Sequence, residues 1–331
     1  MPNLQFKSLC GLMHVRPIFS FIFEKLAAGQ RCALVTVIAV SGASTRDPGT
    51  HMAVSDDGAF SGSLSGGCIE AAVVAESLAA IAANAPREVS YGAGSRFIDL
   101  RLPCGGRIDL LISPLSDLEM MTLLMAAVDA RTPFTLVLPR LSGQPRIVDQ
   151  MAHERLVSGE DVFEVGHVPD LRLLVMGHGA SVTALVKLAG ALSVDTIMVS
   201  PDALNIAQAT ELGAVAHQLK MPSDTAPNLD AWTAAVFLFH EHEWETVQLA
   251  QALASPAFYV GAMGSYKTHA ARLAALAEIG VPEIDRMRIV APIGLIPSSR
   301  DPETLALSTL TQVVAAYHAH VAKAFGRASG R

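Results

Sequence analysis

The sequence predicts an α/β protein in two parts, a strand-rich α/β first half and a second half of alternating strands and helices on a parallel sheet. Three observations carry this. Of 331 residues 51% are apolar and only 17% are charged, which is enough to bury large cores, and the length favours two domains. The first half shows short β-branched runs separated by Gly-containing turns. Beyond residue 170, strand and helix signals alternate at the spacing of βα units, which calls for parallel strands with right-handed crossovers. The domains are expected at 17–140 and 171–325, with 141–170 as a connecting segment.

Residues 19–28 read as a short amphipathic helix, and 32–40 (CALVTVIAV), nearly continuous and rich in β-branched residues, as a buried strand. A Gly- and Pro-containing loop follows at 42–49. Asp56-Asp57-Gly58 marks a hairpin between strands at 51–54 and 59–61, because Asp-Gly supplies the positive φ of tight turns. A Ser-Gly-Gly turn leads into an Ala-rich helix over 68–83, and strands are expected at 88–91, 98–102 and 107–112. In the second half, strands at 171–176, 196–199, 234–239 and 257–260 alternate with helices at 181–192, 203–212 and 243–253. The last helix opens with Asp301 as N-cap, Pro302 at its first position and Glu303 suited to the helix dipole. Its buried face is expected along Leu307, Leu310, Val314, Tyr317 and Val321.

Charge and cysteine usage exclude several function classes. The chain has 24 Lys and Arg against 31 Asp and Glu, a net charge of −7, and its basic residues are scattered, so neither nucleic acid nor an anionic membrane is an expected partner. The uncharged stretches 246–266 and 304–322 contain Gln248, Gln251 and Pro256, and Gln312, His318 and His320, and are too polar to span a bilayer. Lys7 and Arg16 interrupt the apolar residues of the N-terminus, so no signal peptide is expected. The four cysteines form no Cys-x-x-Cys pair and suit a reducing cytoplasm.

Four turns could carry chemistry. Gly177-His178-Gly179 follows a strand and opens a helix, the setting of a dinucleotide phosphate loop in a Rossmann-like domain. Val182 replaces the third glycine and Ser200 stands where a ribose-binding carboxylate is expected, so tight helix and sheet packing explains these glycines equally well. An NAD(P)-dependent oxidoreductase is the alternative reading that this turn supports. Ser65-Gly66-Gly67-Cys68 places a thiol near a helix N-terminus, which lowers a cysteine pKa and suits a soft metal or sulfur-bearing ligand. Cys104-Gly105-Gly106 puts a second thiol on a tight connection between strands. Each thiol alone reads as a small buried hydrophobe, as Cys10 and Cys32 do, but two Gly-Gly-flanked cysteines in one small domain also suit a binding site. His240 and His242 end a strand and are weak metal candidates, the basis of a metal-dependent hydrolase reading, although a surface loop explains them without a third ligand. Gly264, Ser265 and Lys267 follow the next strand and could hold a phosphate or carboxylate.

Taken together, these motifs resemble the XdhC/CoxI family of xanthine dehydrogenase accessory proteins. The resemblance rests on Ser44-Thr45-Arg46, Pro48-Gly49, Asp57-Gly58, the run from Gly62 to Glu70 (GSLSGGCIE) and Cys104-Gly105-Gly106 in the first domain. In the second it rests on the Gly177 turn, His240, Gly261-Ala262-Met263-Gly264-Ser265 with Lys267, Pro292-Ile293-Gly294-Leu295, and the Pro302-Glu303 helix with Leu307-Ser308. It implies a chaperone, with no catalytic residue assigned, that binds the molybdenum cofactor in its molybdopterin or dinucleotide form. Such a protein protects the cofactor while a cysteine desulfurase sulfurates it, and delivers it to an apo molybdenum hydroxylase of the xanthine dehydrogenase type. By the same resemblance Cys68 and Cys104 would contact the cofactor, and Gly66, Gly67, Gly105 and Gly106 would shape the backbone around them. A homodimer is compatible with the family and with the apolar composition. The sequence departs from the family pattern at Ala180, Ser200, Tyr266, Ile296-Pro297-Ser298-Ser299 and Thr311-Gln312.

Overall fold

The computed structural model describes residues 15–42, 46–67, 69–93, 105–225, 227–240 and 244–326. The expected strand at 98–102 and the candidate residues Cys68, Cys104 and His242 lie outside the described residues, as does Cys10. The chain divides into two compact units, Met1–Pro169 with Ala324–Ala328 and Asp170–Lys323 with Ser329–Arg331.

The first unit runs α1 (Arg16–Ala27), β1 (Cys32–Ser41), β2 (His51–Ser55), β3 (Phe60–Ser61), α2 (Glu70–Ala83), β4 (Arg87–Gly92), β5 (Arg107–Leu115), α3 (Leu118–Asp129), β6 (Phe134–Pro139), β7 (Arg146–Val148), β8 (Leu156–Ser158) and β9 (Val162–His167). Two antiparallel sheets result, ordered β3-β2-β1-β5-β4 and β7-β6-β9-β8. The unbroken apolar run of β1 has a direct cause, since both of its faces are covered. Cys32 and Leu34 pack with α1, α3 and the four-stranded sheet, whereas Ala33, Val35 and Val37 pack with Val73, Ala80 and Ile81 of α2. Burial pushes the Cys32 thiol up to about 12, so it is the inert core cysteine that its place in a strand implies. Residues 141–170, expected as a connecting segment, carry β7, β8 and β9 and belong to the second sheet. Strands as short as Arg146–Val148, with partly exposed sides, show too little alternation to be read from pattern.

A buried histidine pair ties the two sheets of this unit. His51 on β2 and His167 on β9 bring their Nε2 atoms to 3.2 Å with stacked rings, and Phe134 stacks on His167. Thr36 Oγ1 lies 2.9 Å from His51 Nδ1. Two neutral rings in complementary tautomers make the contact a hydrogen bond, since one Nε2–H then meets a bare Nε2.

The second unit comprises β10 (Arg172–Gly177), α4 (Ala180–Ala191), β11 (Asp195–Ser200), α5 (Ala203–Glu211), β12 (Val215–Gln218), β13 (Thr233–Leu238), α6 (Thr246–Ala254), β14 (Tyr259–Ala262), α7 (Tyr266–Glu278), α8 (Glu283–Arg286), β15 (Ile289–Val290) and α9 (Pro302–Ala324). All its strand pairs are parallel, in the order β12-β11-β10-β13-β14-β15. Counted from its own first strand this is 3-2-1-4-5-6, the order of dinucleotide-binding sheets. The Asp301 cap is formed, with Thr304 N–H donating to Oδ1 at 2.7 Å. The buried face of α9 is rotated from the one expected. Ala306, Leu310, Val313 and Tyr317 are buried and Leu307 is 53% exposed, because Ser308 turns inward to receive the Ile296 N–H.

The histidine pair makes stability depend on pH. Burial first, and then Arg155, pushes His51 down to about 3, and burial, His51 and Arg155 lower His167 as well. Both rings titrate near 6.5 once unfolded, so their contribution is complete above that pH and is lost as pH falls from 6.5 towards 3. The unfolding free energy from urea titration is expected to fall between pH 6.5 and 4.5, by up to about 1.4 kcal/mol per pH unit for each ring. The double variant His51→Phe, His167→Leu should flatten that slope; an unchanged slope would assign it to other groups.

Candidate functional site

Strand register gathers the first unit's candidate residues at one end of its five-stranded sheet. Ser41 pairs with Arg107, Gly92 also pairs with Arg107, and β3 runs alongside β2 in the direction of β1. The segments after β1, after β3 and before β5 therefore leave the sheet at the same end. The first of these touches both of the others. A Cβ on Gly42 would meet Gly106 Cα at 3.1 Å, and Arg46 Nε donates to Ser63 O at 2.9 Å.

The turn after β3 is built around Glu70, the first residue of α2. Its Oε1 accepts from Ser63 Oγ (2.9 Å), Leu64 N (3.1 Å) and Ser65 N (2.9 Å). Its Oε2 accepts from Ser65 Oγ (2.8 Å), Gly67 N (2.9 Å) and Ile69 N (3.2 Å). Burial alone would raise this carboxyl; the donors of Ser65 and Ser63 overcome it and hold the pKa at about 2, so Glu70 is ionised at neutral pH. Gly66 and Gly67 take φ of +77° and +115°, conformations that a side chain would strain, and the space where a Cβ would stand is open at both. Gly105, at φ +68°, is open in the same way. The Gly66, Gly67 and Gly105 positions thus border open space at one end of the sheet.

In the second unit the candidates lie at the carboxyl ends of β10, β13 and β14, the edge where parallel sheets of this order hold ligands, and β10 and β13 flank the switch point. Gly177 is required sterically. A Cβ there would stand 2.7 Å from the Leu238 carbonyl carbon and oxygen. His178 and His240 are brought together, with ring centroids 5.9 Å apart. Gly179 caps α4 at φ +89°, but its N–H donates to Asn205 Oδ1 at 2.7 Å, and Asn205 Nδ2 returns a bond to Gly179 O at 3.3 Å. Asp202, the nearest carboxylate to the end of β11, caps α5 by accepting from Leu204 N, while Ser200 is buried and accepts from Asp202 N. Gly264 precedes Ser265, the N-cap of α7, which accepts from Thr268 N; Lys267 is exposed. Beneath this edge Arg272 forms a doubly hydrogen-bonded, buried ion pair with Glu245, 3.0 Å on each side, and donates to Met263 O at 2.7 Å. Among the described residues no group of three or more His, Cys, Asp and Glu could hold a metal ion, and no helix is long and apolar enough to cross a membrane.

Of the residues that organise the two edges, Asn205 and the Glu245–Arg272 pair carry no motif of their own. Glu70 closes the run quoted above, three residues after its Ser-x-Ser-Gly-Gly turn, but nothing in that run shows that its carboxylate fills the turn.

Two family models match this chain, one described as the XdhC and CoxI family over residues 25–92 and one as the XdhC Rossmann domain over residues 173–313. Over 300 residues the chain is 33% identical to the molybdenum cofactor insertion chaperone PaoD of Escherichia coli (strain K12), covering 90% of this chain and 87% of PaoD. The chain belongs to the XdhC and CoxI family. The same fold is seen in a Bacillus halodurans structure described as a xanthine dehydrogenase, with a TM-score of 0.71 and 22% identity over 91% of this chain and 96% of that one. Membership accounts for the pairing of a Gly-Gly-Cys domain with a Rossmann domain in one chain.

Two substitutions test the second edge. Gly177→Ala should destabilise the protein by about 3 kcal/mol, read from urea unfolding, because the methyl meets Leu238 backbone that cannot retreat. Arg272→Met strands the Glu245 carboxylate in the core and should cost about 3–5 kcal/mol. Wild-type midpoints in either variant would contradict the packing described.

Proposed function

We propose that this protein is a maturation chaperone whose cargo is the molybdenum cofactor. In this reading it protects the cofactor, supports its sulfuration by a cysteine desulfurase, and delivers it in the cytoplasm to an apo molybdenum hydroxylase of the xanthine dehydrogenase type. The observation that carries the reading is the 33% identity to PaoD along nearly the whole chain. The geometry of the first unit supports it. Gly66, Gly67 and Gly105 leave open space at one end of the five-stranded sheet, and the two cysteines are their neighbours in sequence. Thiolates suit a soft molybdenum–dithiolene centre, and glycines allow a large planar ligand close to the main chain. Cys68 and Cys104 are the proposed contacts, with Gly66, Gly67, Gly105 and Gly106 forming the wall.

The oxidoreductase reading needs Gly179 N–H for a pyrophosphate and a carboxylate at the end of β11 for a ribose. Asn205 already takes that N–H, and Asp202 is engaged as a helix cap. Gly177 and Gly179 are engaged by the Leu238 backbone and by Asn205, so no NAD(P) site is proposed at this edge, and of the second unit's candidates Gly264, Ser265 and Lys267 are the proposed contacts for an anionic group.

Protein purified from cells that synthesise molybdopterin is expected to carry molybdenum and a fluorescent pterin. The double variant Cys68→Ala, Cys104→Ala should lose at least about tenfold of both, the scale of one or more lost strong contacts. Equal loading of both proteins would remove the thiols from the mechanism. Reduced nicotinamide cofactor at millimolar concentration should show no change in its fluorescence on titration; saturable enhancement would restore the oxidoreductase reading.

A further inference from the structure

Resting on the reading of Gly264, Ser265 and Lys267 as contacts for an anionic group, we infer that the turn into α7 is a phosphate site whose inner donors are Arg272 Nη1 and His269 Nδ1. Buried polar atoms of folded proteins are almost always hydrogen-bonded, so a buried donor without a partner in its own chain calls for one from outside. Arg272 Nη1 and His269 Nδ1 are both buried with no hydrogen-bond partner among the described residues. The Arg272 side chain is 2% exposed, and its other edge is committed: Nε and Nη2 hold the Glu245 carboxylate, and Nη2 also donates to Met263 O at 2.7 Å. That last bond fixes where the guanidinium lies. Arg272 stands in the second turn of α7, but its side chain runs back towards the helix start and ends at the residue that precedes Gly264. Nη1, on the same carbon as Nη2, therefore lies beside the turn. His269, three positions earlier, shares that helix face. Burial first, and then the Arg272 charge, lower its pKa, so its imidazole is neutral at neutral pH and offers an Nδ1–H in one tautomer.

The backbone supplies the outer donors. Ser265 O and Oγ take the N–H groups of His269 and Thr268, whereas those of Tyr266 and Lys267 have no acceptor among the described residues. The Lys267 side chain is exposed and forms no ion pair among the described residues. At α4, by contrast, Asn205 takes the Gly179 N–H from within the chain. Every nitrogen of the α7 set donates, which excludes a cation as ligand. Glu245 neutralises the guanidinium on its far edge, so the attraction comes from Lys267 and the partial positive charge of the helix start. A tetrahedral phosphate has three terminal oxygens and takes donors from the backbone side and the arginine side at once, which the two coplanar oxygens of a carboxylate do less well.

The full chain, freed of any cofactor, is titrated with inorganic phosphate at neutral pH and constant ionic strength, by calorimetry and by NMR of the histidine imidazoles. Wild type should bind saturably, and the His269 signal should move. Arg272→Lys keeps a charge opposite Glu245 but leaves no nitrogen for a ligand, and should weaken binding by about tenfold or more. His269→Leu should act in the same direction, and His269→Asn, whose amide places an N–H near Nδ1, should recover part of the loss. Lys267→Gln changes an exposed side chain and should weaken binding several-fold with an unchanged urea midpoint, which keeps the test decisive if Arg272→Lys fails to fold. Absence of saturable binding at tens of millimolar phosphate overturns the inference, as does wild-type affinity in His269→Leu and Lys267→Gln. Protein that retains molybdenum and pterin is titrated in parallel. Loss of phosphate binding in the loaded protein identifies the cofactor's own phosphate as the occupant. Equal binding to loaded and freed protein upholds the site and gives it to a separate phosphate-bearing ligand. If wild type retains no cofactor, the chaperone reading fails while the titration of the freed protein still decides the phosphate site.

Discussion

A folded turn cannot leave its amide hydrogens unpaired, and in this protein the turn between β3 and α2 pairs them with a carboxylate of its own chain. Glu70 is buried, ionised, and surrounded by donors from residues 63 to 69. The six contacts are mutually dependent, because the backbone reaches the carboxylate only with Gly66 and Gly67 in left-handed conformations. From this follow the open face beside the turn and the start of α2 at Glu70. The second unit repeats the device with a neutral side chain. Asn205 takes the Gly179 N–H and returns a bond to its carbonyl, so a turn with the outline of a phosphate loop is closed internally.

Layering explains why these turns are where they are. In the first unit a single five-stranded sheet is covered on both faces, by α2 on one and by α1, α3 and a second sheet on the other. The loops at its ends are the only places where chain can leave without breaking a layer, and three of them exit together. In the second unit the parallel strands reverse their order between β10 and β13, and the crevice this opens is where His178 and His240 meet. The Glu245–Arg272 pair stiffens the floor of that edge. A buried pair of charges is a poor source of net stability but tolerates no displacement, which holds the Met263 carbonyl and the turn into α7 in place.

The candidate turns were legible residue by residue. Gly66 and Gly67, the Gly-x-Gly turn and His240 each follow a strand end, and a turn that demands left-handed φ writes glycine into the sequence. What those turns do with their hydrogen bonds was not legible. Nothing in the composition of residues 177–182 shows that Asn205, more than twenty positions away, reaches Gly179. The pairing of His178 with His240 was hidden for the same reason, since it depends on β10 and β13 being neighbours although α4, β11, α5 and β12 lie between them in the chain. The rotated face of α9 is a subtler case. Apolar spacing allows two adjacent stripes, and the choice between Leu307 and Ala306 was made by Ser308 bonding to the 294–296 turn.

The sequence by itself determined the α/β class, the alternation of strands and helices after residue 170, the Asp301 cap and the identity of the two glycine-flanked cysteines, because these rest on local periodicity and on backbone conformations that few residues adopt. Only the tertiary structure decided that residues 141–170 complete a sheet, that His51 and His167 join two sheets, and that Glu70 and Asn205 fill the donors of both glycine turns. Those are contacts between segments distant in the chain or between groups whose spacing has no period, and their energy comes from burial that exists only once the layers have closed.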